Sequence, residues 1–486
     1  MKRFVQQKIA ALRTKQFGGL TIFVLISTVI ALYVVGGFVG LVLLQNRASV
    51  VKSAGERAFQ VAEAGVDYYR WHLAHDDDDY WDGNPPMTPG PFVHDFFDKD
   101  NVKVGEFALT ITPPAIGSTI VTVESVGTVE SHPGIVRTVR ARYAIPSLAQ
   151  YAIAVDADVR LGSGTEVFGP IHGNGGIHFD GLAHNIVTSG VPDYVDPDHG
   201  GGNEWGVHTH VVPVDPLPPT NLPPRPDVFE AGRAVGVPPI DFDGFAVDLG
   251  TIRTEADPMQ GGNGIYLPDS GALGWHLVLN TNDTVDIYVV TALVPPPPDC
   301  TSGQTGWGTW SIQTEALDRT EAFPANGLIY VEDHAWVDGQ IDGARLTIAS
   351  GVLPENPLTN TNIIVNNDLL YTNYDGTDVI SLMAQQNHRV GLISEDDLRI
   401  DAAIVAMNGS AGRFYYNNDC GPEYVRDTLT LYGMIASRLR YGYAYTDGTG
   451  YANRNLIYDA NLLYGPPPSF PLTSGAYELM SWEELF

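Results

Sequence analysis

A mainly β chain led by one long α-helix is what this sequence predicts, and three observations carry the prediction. Residues 18–44, GGLTIFVLISTVIALYVVGGFVGLVLL, contain no charged side chain. Beyond them Ala54, Ala58, Val61, Gly65 and Tyr68 recur at three- and four-residue spacing, the period of one helix face. From residue 106 onward apolar residues fall in short runs split by Gly, Pro, Asn and Asp, the pattern of strands and corners.

The uncharged run of 27 residues exceeds the roughly 20 that cross a bilayer as a helix. Lys2, Arg3, Lys8, Arg13 and Lys15 precede it without an acid, which places the N-terminus in the cytoplasm and the large C-terminal part outside. A cleaved secretory signal would be shorter and would end at a small-residue site, whereas this run continues into NRASVVKSAGERAFQVAEAGVDYYRWHLAH. One helix from about Leu20 to His75 would be about 80 Å long, half in lipid and half projecting. Gly36 and Gly40 make a small-xxx-small pair that suits a close helix approach, although glycine is also ordinary in membrane helices.

A basic leader ending in glycine, an apolar run, and Ala-Glu-Ala-Gly on the emerging helix (FGGLTIFVLI and AFQVAEAGVDYYR) resemble type IV prepilins, most closely the minor-pilin and PilX-like group. The resemblance covers about the first 75 residues. It implies a prepilin peptidase that cuts after Gly19, or alternatively Gly18, and leaves Leu20 as the first mature residue. Major pilins carry a glutamate at the fifth mature position; Val24 stands there, which points to a minor subunit or to an uncleaved anchor.

Next comes an acidic, turn-rich stretch, HDDDDYWDGNPPMTPGPFVHDFFDKD, followed by three alternating runs, EFALTITPP, TIVTVESVGTVES and IVRTVRARYAIP. Alternation with intervening turns predicts a small antiparallel sheet half buried on the helix. The expected organisation is a leader (1–19), a transmembrane and amphipathic helix (20–75), an acidic loop with a small sheet (76–146) and a large head (147–486).

In the head, runs such as YAIAVD, GLIYVED, NIIVNNDLLY, DVISLMAQ and TLTLYGMIAS place inward aliphatics between Gly/Asn/Asp corners. Such a series predicts a parallel β-helix, with a β-sandwich as the alternative because the period is irregular. Residues 185–325 are rich in Pro and Gly (PVDPLPPTNLPPRPD, VPPPPDC) and read as long surface excursions. The C-terminal end reads as a cap on the last coil. Residues 327–486 also resemble the uncharacterised C-terminal domain found on PilX-like proteins, a likeness that implies no activity.

The chain holds 27 Lys and Arg against 57 Asp and Glu. Seven cations precede the first acid, Glu56, so the remainder carries 20 − 57 = −37. That surface disfavours nucleic acid and favours divalent cations. Cys300 and Cys420 are the only cysteines; an extracytoplasmic compartment permits a disulfide between them, and two separate loop thiols are the alternative.

Six of the thirteen histidines, His172, His178, His184, His199, His208 and His210, fall within 39 residues. His208 and His210 are candidate ligands for Zn2+ or copper through imidazole, and Asp193, Asp196 and Asp198, with Asn203 and Glu204 around a glycine turn, are candidate ligands for Ca2+ through oxygen. Without fixed ligand spacing, solvated or stacked histidines explain the cluster too. A second acidic loop, Asp76–Asp79 with Asp82, competes for calcium but departs from EF-hand spacing.

No G-x-S-x-G, Walker or dinucleotide motif occurs, and no enzyme is expected. Asp397, Arg399 and Asp401 share a strand face and could imitate a carbohydrate-active groove; an ion-pair ladder accounts for them equally. The expectation is a minor pilin-like structural subunit of a type IV pilus or related filament, single-pass in the membrane, with a β-rich head for assembly or adhesion. Expected partners are prepilin peptidase, other pilin-like subunits, membrane lipid and a surface or carbohydrate ligand, with no nucleic acid. The alternatives are an anchored carbohydrate-active enzyme and a static envelope protein.

Overall fold

The computed structural model describes residues 16–115, 118–200, 202–242, 245–472 and 476–485. Most of the predicted leader, with its five cations, lies outside the described residues. The chain divides into two compact units, one made of residues 1–112, 122–142 and 479–486, the other of residues 113–121 and 143–478.

The first unit is led by helix α1, Gln16–Leu73, 58 residues long. Its N-terminal half is long and apolar enough to cross a membrane. From Ala54 onward one stripe is buried: Ala54, Ala58, Val61, Ala62, Val66, Tyr69 and Leu73. This is the three- and four-residue period of the sequence, and it faces the antiparallel strands β1 (Phe92–Phe97), β2 (Lys103–Thr112), β3 (Val121–Val129) and β4 (Val136–Ala144). Helix and sheet meet at backbone distance at Gly127, where a Cβ would stand 2.2 Å from the carbonyl oxygen of Ala58.

Two features of this unit differ from the sequence reading. Strand β1 lies inside the stretch read as acidic turns, because FVHDFF alternates over only six residues and pairs with β2. The C-terminal strand Glu478–Leu485, expected within the head as part of a cap, instead takes the edge beside β4. Arg137 Nη1 donates to Glu484 Oε1 at 2.7 Å, and the Phe59 and Trp482 rings meet edge to face at 5.8 Å. An open strand edge presents unpaired N–H and C=O groups, and a partner about 340 residues away in sequence satisfies them without any local signature.

The second unit is β-helix-like. Parallel pairing aligns Ile265, Ile329, Ile348, Leu382, Ile404, Ile435, Ile153, Ile171 and Val187 in one column, all buried. A second column runs Leu279, Gly339, Leu369, Ile400, Leu431, Leu456, Val167. Burying an aliphatic side chain fully is worth roughly 1.5–3 kcal/mol, so the columns hold the coils together.

The coils are not stacked in chain order. Residues 153–235 form one end, the chain then crosses to Ile265–Leu267 at the other, and it returns coil by coil until Ile435 docks on Ile153. The stretch 185–325, expected as surface excursions, supplies several of these coils. It also supplies the hairpin Thr284–Leu293 with Ile312–Ala322 and the helix Phe245–Ala256. Strands of two or three residues fit between proline and glycine corners, so that composition did not prevent coil formation.

Candidate metal centre

Three short parallel strands, Val159–Leu161, Ile177–Phe179 and Val207–His208, form a side ladder in which Val159, Ile177 and Val207 align inward. Alternation then turns the next residue of each strand outward, and Arg160, His178 and His208 align. Gly206 makes the approach possible: a Cβ there would stand 2.0 Å from the Val191 carbonyl oxygen.

Outward here does not mean exposed. The side chains of His178 and His208 are 1% and 0% exposed, covered by Tyr194, Asp196 and His210. The His210 ring lies 4.3 Å from that of His178 and 5.1 Å from that of His208; His199 lies 4.3 Å from His210. His178 stands between two carboxylates, Nδ1 2.8 Å from Asp196 Oδ2 and Nε2 2.8 Å from Asp180 Oδ2. Asp180 is anchored in turn by the backbone N–H of His210 at 2.8 Å and the hydroxyl of Thr209 at 3.2 Å.

His208 Nδ1 lies 3.2 Å from the carbonyl oxygen of Trp205. A carbonyl only accepts, so this nitrogen carries the hydrogen and Nε2 keeps a lone pair. That Nε2 is buried and makes no hydrogen bond, although Asp196 Oδ2 is only 3.4 Å away. His210 Nε2 and Glu204 Oε2 are likewise buried and unbonded.

Electrostatics follow from this arrangement. Burial, with His178 alongside, pushes His208 from 6.5 down to about 4, and burial lowers His210 for the same reasons. Burial raises the Glu204 carboxyl. Asp196 is held below its ordinary value: burial opposes this, but the Asp198 N–H and His178 outweigh it. Neutral imidazoles beside carboxylates are the donor chemistry of a transition-metal site.

The predicted ligands separate into two groups. His208, His210 and Asp196 come together. Asp193 and Asp198, expected with them, do not: Asp193 Oδ1 accepts from the Asn203 amide at 2.9 Å, and Asp198 pairs with Arg440. Glu204, expected in the calcium loop, joins this cluster instead, and two members, His178 and His199, were left out of the predicted ligand set. Their signal was the strand period: His178 and His208 are one coil apart, a relation that appears only once the register is known.

Other predicted positions fall elsewhere. Cys300 and Cys420 are joined, 120 residues apart in sequence, among Leu392, Phe414 and Tyr416. Gly19 and Leu20 lie on the exposed apolar half of α1. In the 76–82 loop Asp79 caps the turn through the N–H groups of Trp81 and Gly83, and Asp82 accepts from the Tyr68 hydroxyl at 3.1 Å. Asp401 is buried and accepts from the Tyr371 N–H, the Tyr374 hydroxyl and Arg399 Nε; Asp397 is exposed. A cleft of about 870 Å3 in the head is lined by Arg389, Arg413, Arg440, Arg454, Tyr443 and Tyr445, among others.

No protein-family model and no curated protein matches the chain. Among solved structures, the competence-associated pilin ComZ from Thermus thermophilus aligns over 89% of this chain and 98% of its own, at 13% identity and a TM-score of 0.29. An identity and a TM-score that low carry no inference to this chain.

Proposed function

We propose that this chain is a membrane-anchored, pilin-like structural subunit, a minor or tip component of a type IV pilus or related filament. Its β-rich head is presented outside the cell for assembly or adhesion, and it catalyses no reaction. The supporting observation is the division of α1. From Gly19 to Ser53 every residue is exposed, whereas from Ala54 to Leu73 one stripe is buried against β1–β4. A bare apolar half-helix needs lipid or the helices of other subunits to cover it. Gly36 and Gly40 have nothing within 4 Å of a built Cβ, so another helix can approach there.

Gly19 and Leu20 supply the cleavage site for a prepilin peptidase on this reading, and Val24 in place of an acid assigns the minor role. The arginine- and tyrosine-lined cleft is the part of the head best suited to hold a polar surface or carbohydrate ligand. The Asp401 carboxylate already meets three donors, which favours a structural part for it over a catalytic one.

The test is N-terminal sequencing of the protein from membranes and from sheared filaments. A start at Leu20 in the filament fraction is the expected result. An intact Met1 removes the prepilin reading, and a Leu20 start found in membranes alone turns it into a static envelope protein. Polysaccharide turnover abolished by Asp397→Asn and Asp401→Asn would restore the enzyme.

A further inference from the structure

We infer that His178, His208, His210 and Asp196 bind one divalent transition-metal ion of the zinc class, which clips Asp196 and His210 onto the side ladder. His208 Nε2, which keeps a lone pair, His210 Nε2 and Glu204 Oε2 are buried atoms without a hydrogen bond, in one cluster. A buried polar atom left unmet costs stability. None of the three meets a donor among the described residues, and a cation held between His208 and His210 would meet both imidazole nitrogens together.

Geometry selects the donors. Nitrogen atoms from His178, His208 and His210 lie within 4.8 Å of one another. Asp196 Oδ2 stands 2.8 Å from His178 Nδ1 and 3.4 Å from His208 Nε2. Donors around a tetrahedral zinc, with bonds near 2.0–2.1 Å, are separated by about 3.3 Å. The carboxylate stands close to His178 and His208, and the three imidazoles need to draw in by about an ångström to share an ion.

The groups behind the donors fit as well. Metal-bound imidazoles donate their second N–H to a carboxylate or a carbonyl. His208 Nδ1–H donates to Trp205 O, and His178 Nε2–H faces Asp180. Glu204 and His199 flank His210, with Glu204 Oε1 3.8 Å from His210 Nε2 and 3.6 Å from His199 Nδ1. Three nitrogens and one oxygen exclude calcium, which takes six to eight oxygens. Four protein ligands close the coordination sphere, the mark of a structural site.

The test uses the full chain in detergent, stripped with a chelator and then loaded with Zn2+ or Co2+. After desalting, elemental analysis should find one equivalent per chain, Co2+ should give the visible bands of a tetrahedral nitrogen and oxygen site, and loading should raise the unfolding temperature. His208→Ala and His178→Ala should lose the metal, while His184→Ala, which changes a histidine bound to Glu166 and Glu230 instead, should keep it. His210 is the more exposed ligand, so His210→Gln guards against misfolding: it should retain the circular dichroism of the metal-free wild type and lose the cobalt bands. No retained metal in the wild type, or undiminished binding in a folded His210→Gln together with His208→Ala, overturns the assignment.

Discussion

His388 Nδ1 lies 3.0 Å from the hydroxyl of Tyr443, and both side chains are buried inside the β-helix-like unit. His388 holds the position between Ile363 and Ala411 in a parallel ladder, a place otherwise filled by apolar residues. Its Nε2 has no hydrogen-bond partner.

That burial predicts an acid-sensitive core. Desolvation, with Arg389 adjacent, pushes His388 from 6.5 to about 3. The folded chain keeps the imidazole neutral while the unfolded chain takes up a proton below pH 6.5, so stability rises with pH between the two values. The contribution is fully present above pH 6.5 and is lost as the pH falls toward 3, on the order of 4 kcal/mol over that window. Denaturant unfolding of wild type and His388→Leu between pH 7 and pH 4 should show a steeper loss in the wild type; parallel slopes would refute the assignment.

The disulfide closes a loop of 120 residues and ties the connection between the two hairpin strands to the Phe414–Tyr416 region. Replacing both cysteines by serine should lower stability by about 2–5 kcal/mol. Urea titrations with and without reductant check this. The wild type should move under reductant and the double variant should not.

Gly127→Val should loosen the helix from its sheet. Its side chain would run into the Ala58 carbonyl, and overpacking of this kind costs about 1–3 kcal/mol. Protease digestion reads the effect directly: cleavage within Ala54–Leu73 should accelerate while the β-helix-like unit stays resistant. Unchanged cleavage would mean that helix and sheet do not meet as described.

In the aliphatic column, Ile404→Ala removes a fully buried side chain flanked by Leu382 and Ile435. The expected loss is about 2–5 kcal/mol. Leu358→Ala, at a side chain 92% exposed, is the matched control and should be nearly neutral by thermal unfolding.

Much of this architecture was legible before any coordinates. Length and the absence of charge are sufficient to make residues 18–44 a spanning candidate, because a bilayer accepts little else. Three- and four-residue spacing placed Ala54, Ala58, Val61 and Gly65 on the buried face. Runs such as DVISLMAQ and TLTLYGMIAS became strands because inward aliphatics between corner residues leave few other ways to bury them. These are local properties, carried by neighbours in the chain.

What stayed hidden depends on which distant residues pair. Coil order is set by docking Ile435 on Ile153, and the edge of β4 is filled from the far end of the chain; no local pattern encodes either partner. The histidine cluster shows the same division. Composition marked residues 172–210 as rich in imidazole, and the His208/His210 pair follows from spacing. Parallel register sets His178 against His208, while an antiparallel pair of Asp193–Val195 with Asn203–Trp205 leads into Asp196 beside both. Periodicity shows which side of an element is buried, but metal ligation requires side chains from different coils to converge within a few ångströms, and that distance exists only after the coils are stacked.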